Sequence, residues 1–150
     1  MKPLAIAALV LLALPFLAAC EGGNASAVAP EAKPVAILNL TVGTDDPHRA
    51  WMALRLADHF VTAGRETIVF LNVTGPVLAS TKLGDVKFED KPAYREIVAD
   101  LLKRGAKVLV CPECAEKVGV GKEDLVPGAE FASAESLFGP MNQNTVVFSY

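Results

Sequence analysis

The sequence predicts a three-layer α/β domain in which helices flank a mainly parallel sheet of five strands. Short runs of Val, Ile, Leu and Phe recur along the chain with little polar interruption, as in strands that are buried on both faces. The first three of these runs alternate with two segments whose apolar residues recur at helical spacing. Alternation of this kind is typical of a parallel sheet, because each helix returns the chain to the same end of the sheet.

The first half of the domain contains two strands and one long helix. In order, the predicted elements are a strand at 35–41, a helix at 47–63, a strand at 67–71 and an aperiodic segment at 73–90. Asp45 or Asp46 can cap the helix, and Pro47 lies in its first turn. Gly64 marks its end. An aperiodic segment of this length is expected to be a lid, a pocket wall or a subunit contact.

The second half contains shorter elements. They are a helix from Asp90 to Gly105, a strand at 107–110, a short helix to about Val118, an extended piece at 130–132, a helix at 134–138 and a strand at 145–149. Pro92 lies just inside the first of these helices, and Ser133 can cap the last one. The buried face of the first helix is predicted to carry Tyr94, Ile97, Val98, Leu101 and Leu102.

The first 19 residues are predicted to be a targeting segment. Lys2 precedes an apolar stretch at 4–17 that is too short to span a membrane. Leu17-Ala18-Ala19-Cys20 resembles the lipobox of bacterial lipoproteins, in which the cysteine is acylated and becomes the mature N-terminus. We therefore expect a signal peptide at 1–19 and lipidation at Cys20. The alternative is an ordinary secretory peptide cut near Ala19.

Residues 20–34 have the Gly, Ala, Ser and Pro content of a flexible tether, so the folded domain is predicted to span 35–150. The protein is then exported and lipid-anchored to the bacterial membrane, facing the periplasm or the cell exterior. Its only contact with the membrane is the lipid anchor. Glu21 mildly favours the outer membrane where the cell has one.

Composition excludes several classes of function. The formal net charge is −3 and no cluster of Lys and Arg forms a basic stripe, which argues against a nucleic-acid partner. Three cysteines are too few for a disulfide scaffold. The first strand is not followed by a glycine-rich dinucleotide fingerprint or a Walker sequence, so no nucleotide cofactor is expected. We predict no cofactor of any kind.

Two cysteines at the end of the third strand are the candidate reactive groups. In an open parallel sheet, ligands bind at the carboxyl ends of the strands, where 41–48, 72–76 and 111–114 should meet. The order Cys111-Pro112-Glu113-Cys114 predicts that Cys111 is the N-cap of a helix. Its sulfur would then face unpaired backbone N–H groups, so we expect a lowered pKa and the greater reactivity at Cys111.

Zinc is the usual alternative for a CxxC pair. A structural zinc site needs four ligands, and the remaining candidates are His48 and His59. They lie eleven residues apart on one helix, or about 16 Å, so they cannot share an ion. Zinc within one subunit is not expected, whereas a site between subunits stays open. A Cys111–Cys114 disulfide is feasible, since residues three apart on a helix have neighbouring Cβ atoms.

Several ordered blocks resemble the DsrE/DsrF-like family over essentially 35–150. The segments that carry the resemblance are 42–50 (VGTDDPHRA), 69–71 (VFL), 110–120 (VCPECAEKVGV) and 131–137 (FASAESL). The resemblance implies a three-layer α/β fold, homo-oligomers such as trimers or hexamers, and sulfur carried as a cysteine persulfide. In the family's carriers, the sulfur-bearing cysteine ends the third strand eight residues before a glycine. Cys111 and Gly119 have that spacing.

This chain departs from the family pattern in two respects. Cys114 is an addition to the single-cysteine carriers, and the export signal differs from the cytoplasmic relay proteins. Three hypotheses follow. The first is a tethered sulfur carrier or sulfurtransferase that uses Cys111 and exchanges sulfur with donor and acceptor proteins or small sulfur species. The second is a dithiol redox protein that uses Cys111 and Cys114, and the third is a non-catalytic binding module. His48 is expected to be a solvated residue at the helix start rather than a proton donor.

Overall fold

The protein's structure is a computed structural model that describes residues 32–150, and these residues form one five-stranded sheet. Its strands are β1 (Val35–Leu40), β2 (Glu66–Leu71), β3 (Lys107–Val110), β4 (Glu130–Phe131) and β5 (Thr145–Ser149). The strand order is β4-β3-β2-β1-β5, and all four pairings are parallel. The predicted fold class is confirmed. The predicted signal peptide, Cys20 and most of the predicted tether lie outside the described residues.

Four α-helices and three short 3₁₀ turns connect the described strands. The helices are α1 (Pro47–Thr62), α2 (Tyr94–Lys103), α3 (Pro112–Lys117) and α4 (Ala134–Phe138), and the turns are Gly75–Ala79, Thr81–Leu83 and Lys122–Asp124. None of the helices within 32–150 has the length and apolar content needed to cross a membrane.

The longest helix, α1, begins and ends where the sequence predicts. The Asp46 side chain accepts a hydrogen bond from the Arg49 amide at 3.0 Å, which caps the helix. Gly64 lies just beyond the last turn with φ of 73°, a conformation that glycine adopts without steric cost. The face made by Ala50, Ala53, Leu54 and Ala57 is buried. This small-residue stripe allows the helix to approach the sheet closely.

Helix α2 starts later than predicted, at Tyr94 rather than Asp90. The preceding residues form a turn instead, because the amide of Tyr94 bonds back to the carbonyl of Val86 at 3.0 Å. The start is fixed by Glu96, whose carboxylate accepts from the Ala93 amide at 3.2 Å. Of the predicted buried face, Tyr94, Val98 and Leu101 are buried, whereas Ile97 and Leu102 are partly buried.

The two faces of the sheet have different coverings. Helices α1 and α2 and the 3₁₀ turns pack on one face, over a large core that includes Leu38, Leu40 and Leu71. The other face has a smaller cluster of Val35, Ile37, Ile68 and Leu109, against which Leu137 of α4 packs. The sheet therefore has its thick helical layer on one side only, within the residues described.

The aperiodic segment after β2 packs against the chain that follows α3. Ser80 forms an antiparallel bridge with Leu125, and the Lys82 ammonium pairs with the Asp124 carboxylate at 2.8 Å. That carboxylate also accepts from the Gly121 amide at 2.9 Å and is almost fully buried. These contacts hold both loops at the carboxyl end of the sheet.

Candidate functional site

Cys111 belongs to both the sheet and the helix that follows it. Its amide donates to the Leu71 carbonyl at 2.8 Å, which continues the β2–β3 ladder by one residue. Its carbonyl accepts from the Ala115 amide at 2.9 Å, as the first bond of α3. Its sulfur accepts the Cys114 amide at 3.3 Å. The prediction that Cys111 is the N-cap of α3 is confirmed, and its backbone is held from two sides.

The predicted lowering of the Cys111 pKa is wrong. The Cys111 side chain is half-buried, and this burial is the main effect that raises the pKa of the thiol. The neighbouring Cys114 thiol raises the pKa further. The Cys114 amide lowers it, but by less. Helix α3 has only six residues, so it offers a weak dipole against the cost of charging a partly buried sulfur. Cys111 is therefore mainly a neutral thiol at pH 7.

The second thiol, Cys114, lies beside the first. Both cysteines are free and half-buried, and the two sulfur groups interact closely enough to affect the titration of Cys111. Both thiols therefore lie at the start of the same short helix, and the Cys114 amide rather than its sulfur makes the hydrogen bond to the Cys111 sulfur.

The loops that follow β1 and β2 contact each other at the carboxyl end of the sheet. The Asp45 carboxylate accepts from the Thr74 hydroxyl at 2.7 Å and from the Gly43 amide at 2.8 Å. These two bonds lower the pKa of Asp45, so it stays a carboxylate well into the acid range. Asp45 thus holds the loop after β1 against the loop after β2, while Asp46 caps helix α1.

Two glycines allow these loops to approach each other closely. A Cβ atom at Gly43 would lie 2.5 Å from the Thr74 carbonyl oxygen. At Gly75 it would lie 2.6 Å from the Leu40 carbonyl oxygen. Both contacts are with backbone atoms, which cannot turn aside as a flexible side chain does. The loops are therefore fixed relative to the ends of β1 and β2.

A row of polar side chains crosses the sheet towards the cysteine. Asn72 donates to the Asn39 side-chain oxygen at 2.6 Å, and Asn39 donates to the Ser149 hydroxyl at 3.1 Å. Asn72 follows β2 at the level where Cys111 follows β3, since Leu71 and Val110 are register partners. The sequence offered little to predict this row, because isolated asparagines in and after apolar strands give no periodic signal.

The residue between this row and the loop contacts, Val73, has an unusual backbone conformation. Its φ is 53°, in the left-handed region that β-branched residues rarely adopt, and 58% of the residue is exposed. The chain is held there by the bonds from the Thr74 amide to Thr41 (3.2 Å) and from the Gly75 amide to Asn72 (2.8 Å). No sequence pattern marks this position, since valine is normally a strand residue.

The two histidines lie apart from the cysteines in the contacts that the structure gives them. The exposed His48 ring stacks on Phe88, with ring centroids 5.1 Å apart and an interplanar angle of 15°. His59 is exposed in the last turn of α1. Within 32–150, His, Cys, Asp and Glu side chains form no group of three arranged to hold a metal ion.

A separate cavity lies between α1 and α2. It has a volume of about 670 Å³ and lies next to Trp51, Leu54 and Ile97. Its charged lining residues include Arg55 and Asp58, which pair with each other. The loops that carry Cys111 and Asp45 do not line this cavity.

These features define a class of protein, namely a parallel α/β domain that presents a pair of reduced, half-buried thiols at the carboxyl end of an inner strand. The DsrE/DsrF-like family model matches residues 34–149. The chain therefore belongs to the DsrE/DsrF-like family.

The chain is also similar to two uncharacterized proteins and to two solved structures. The uncharacterized protein MJ0989 of Methanocaldococcus jannaschii is 32% identical over 102 residues, which cover 67% of this chain and 87% of that protein. The uncharacterized protein MK0008 of Methanopyrus kandleri is 30% identical over 108 residues, covering 72% and 87%. The YchN protein of E. coli and MTH1491 of Methanobacterium thermoautotrophicum, a protein of unknown function, superpose with TM-scores of 0.55 and 0.57. Each is 14% identical and covers 79% of this chain and 99% of its own, so these two show the fold alone.

Proposed function

We propose that this protein is a membrane-tethered, extracytoplasmic sulfur carrier that holds sulfur as a persulfide on Cys111. The observation that carries the proposal is the position of the Cys111 sulfur. The half-buried Cys111 follows an inner strand at its carboxyl end, and its backbone is fixed. The Cys114 amide is directed at its sulfur. Family membership supports the same chemistry.

Loading from a polysulfide is a sulfur exchange. The Cys111 thiol first loses its proton to solvent, and the thiolate attacks the terminal sulfur of the polysulfide. A bond forms between Sγ and that sulfur, the adjacent sulfur–sulfur bond of the donor breaks, and its electron pair leaves on a polysulfide one sulfur shorter. The raised pKa of Cys111 slows the first step, because it lowers the thiolate fraction at neutral pH.

The burial that raises the pKa of the Cys111 thiol has a smaller effect on the persulfide. A persulfide is more acidic than a thiol, and its charge lies on the outer sulfur, one bond further from the groups that bury Sγ. The cost of charging the site is therefore lower after loading than before it. This difference suits a carrier, which must hold sulfur until an acceptor arrives.

Discharge has two routes. An acceptor thiolate can attack the outer sulfur and take it as a new persulfide, which returns Cys111 as a thiolate. Alternatively, the Cys114 thiolate attacks Sγ of Cys111, forms the Cys111–Cys114 disulfide and releases HS⁻. The position of both thiols at the start of α3, where the Cys114 amide donates to the Cys111 sulfur at 3.3 Å, supports the second route.

A dithiol redox protein is the second candidate function. The observation that favours it is the position of two free thiols three residues apart at the start of α3, with the Cys114 amide 3.3 Å from the Cys111 sulfur. In this case the two cysteines form a disulfide by thiol–disulfide exchange, and the disulfide of a partner protein accepts the two electrons and becomes two thiols. No extra sulfur is held.

Intact-mass spectrometry of the protein treated with polysulfide separates the two functions. In Cys114→Ser, where the intramolecular discharge route is absent, the carrier gains about 32 Da, one sulfur atom, whereas Cys111→Ser gains nothing. The redox protein loses about 2 Da, two hydrogens, only when both cysteines are present. No mass change in any of the three proteins would contradict both functions.

The remaining parts of the proposal concern location and assembly. The lipobox at 17–20 supports export, acylation of Cys20 and attachment through the tether at 20–34. We also propose a homo-oligomer, on family membership. Cys20→Ala should move the protein from the detergent phase to the aqueous phase in a phase-partition assay, whereas Cys114→Ala should not. Equal partitioning of the two variants would contradict lipidation at Cys20.

A further inference from the structure

The end of the described chain carries an unusual concentration of exposed apolar side chains. Five of those that are both large and exposed lie within eleven residues: Phe138, Met141, Val146, Val147 and Phe148, with exposures of 58, 39, 37, 55 and 40%. The segment from Phe138 to Tyr150 contains no Asp, Glu, Lys, Arg or His. An exposed apolar surface of this kind is typical of an interaction site.

Within residues 32–150, the same segment forms a sheet edge whose outward backbone groups pair with no other strand. The Tyr150 amide donates to Asn39 and its carbonyl accepts from Thr41, so Tyr150 directs its backbone groups towards β1. By the two-residue period of a strand, Val147 and Ser149 direct their amides and carbonyls away from the sheet. Among the described strands, β1 is the only one that pairs with β5.

The opposite edge strand, β4, is protected against pairing with other chains, whereas β5 is not. β4 has only two residues and carries the exposed Glu130. Short length and a charged side chain are two common features that prevent an edge strand from pairing with other chains. β5 has five residues and no charged side chain, so it lacks both features.

We propose that β5 pairs with β5 of a second copy of this chain, antiparallel and about a two-fold axis at Val147. In this register Val147 opposes Val147 of the partner and the two exchange backbone hydrogen bonds. Thr145 opposes Ser149, and Val146 opposes Phe148. Each opposed pair is chemically compatible, and no like charges meet. The strand is thus complementary to itself, as a two-fold interface requires.

The inference does not depend on the sulfur chemistry. It makes one sheet of ten strands from two copies, and it places the two Cys111 edges at opposite ends of that sheet. A two-fold contact exists in a dimer and in a hexamer of two stacked trimers, but not in a single trimer. It therefore refines the assembly that family membership suggests.

Register-specific disulfide trapping tests the proposal on the full-length chain in detergent. Two variants, Val146→Cys and Phe148→Cys, are made with Cys111→Ser and Cys114→Ser and oxidised alone or as an equal mixture. Opposed residues of a non-hydrogen-bonded pair have close Cβ atoms, whereas each residue and its own copy lie further apart. We expect about tenfold more cross-linked dimer in the mixture than in either variant alone. Equal amounts in all three samples, or no dimer, would overturn the proposal.

A charge substitution gives an independent measurement. Val147→Lys places two ammonium groups opposite each other and should weaken two-fold association by about tenfold or more in sedimentation experiments. Val73→Lys is the matched control, because Val73 is as exposed as Val147 but lies at the cysteine edge. Association unchanged by Val147→Lys, or weakened equally by both variants, would show that another surface or the chain's own N-terminal segment covers β5.

Discussion

The strained backbone at Val73 leads to a prediction about stability. A non-glycine residue in the left-handed region costs about 1–2 kcal/mol. Replacing Val73 with glycine removes this cost, since glycine adopts positive φ freely. Against this, glycine adds about 0.5–1 kcal/mol of unfolded-state entropy. Loss of the side chain costs about 1 kcal/mol or less, because more than half of it is exposed.

These contributions nearly cancel, so Val73→Gly should change the free energy of unfolding by only about 0.5 kcal/mol in either direction. Val86→Gly is the matched control, because Val86 is also an exposed valine but is not in the left-handed region. It lacks the strain and should lose about 1.5–2 kcal/mol. The assay is urea unfolding at equilibrium, compared by midpoint and slope.

The difference between the two variants in the change of unfolding free energy measures the backbone strain at Val73. A difference of about 1–2 kcal/mol is expected. If Val73→Gly destabilises the protein as much as Val86→Gly does, the backbone at Val73 stores no strain. The inference that the loop contacts of Thr74 and Gly75 hold it in place would then fail.

Three further predictions concern the site and the core. Cys114→Ala removes a thiol that raises the Cys111 pKa and keeps the amide that lowers it, so the pH midpoint of Cys111 alkylation by iodoacetamide should fall. The pKa of Asp45 is lowered on folding, so its contribution to stability is present above its unfolded pKa of about 4 and is lost as pH falls through the folded value. Asp45→Asn should therefore reduce the acid dependence of the urea midpoint, and an unchanged dependence would contradict this. Tyr94→Phe removes the 2.7 Å bond to the Pro47 carbonyl at a buried position and should cost about 1 kcal/mol, measured by thermal unfolding at pH 7.

The parts of the fold that were predictable follow from periodic burial. α1 appears where the sequence places it because its apolar residues repeat at helical spacing, and β1 because its continuous apolar run is buried on both faces. β5 also appears as predicted, but its side chains are mostly exposed. The start of α2 was not predictable in the same way. A proline at 92 is a good first-turn residue, but Glu96 caps the helix at Ala93 and the earlier residues turn away.

In the candidate site, too, some features were predictable from the sequence and others were not. The placement of Cys111 as an N-cap follows from a local pattern, since a proline directly after it suits the first helical position. Its pKa does not follow from the local pattern, because the dominant effect is burial of the side chain, which the N-cap pattern does not reveal. The Asn72–Asn39–Ser149 row is equally non-local, since its residues lie on three different parts of the chain.

The hydrogen bond from the Cys111 amide to Leu71 has a consequence for how sulfur can be exchanged. With the ladder on one side of this residue and the helix on the other, the sulfur moves only by rotation about the bonds of its own side chain. Carriers that deliver a group over a distance do so with a long arm or a flexible loop, and Cys111 has neither. Under the proposed function, a protein that exchanges sulfur with Cys111 would have to bring its own cysteine on a mobile, exposed segment that reaches this edge of the sheet.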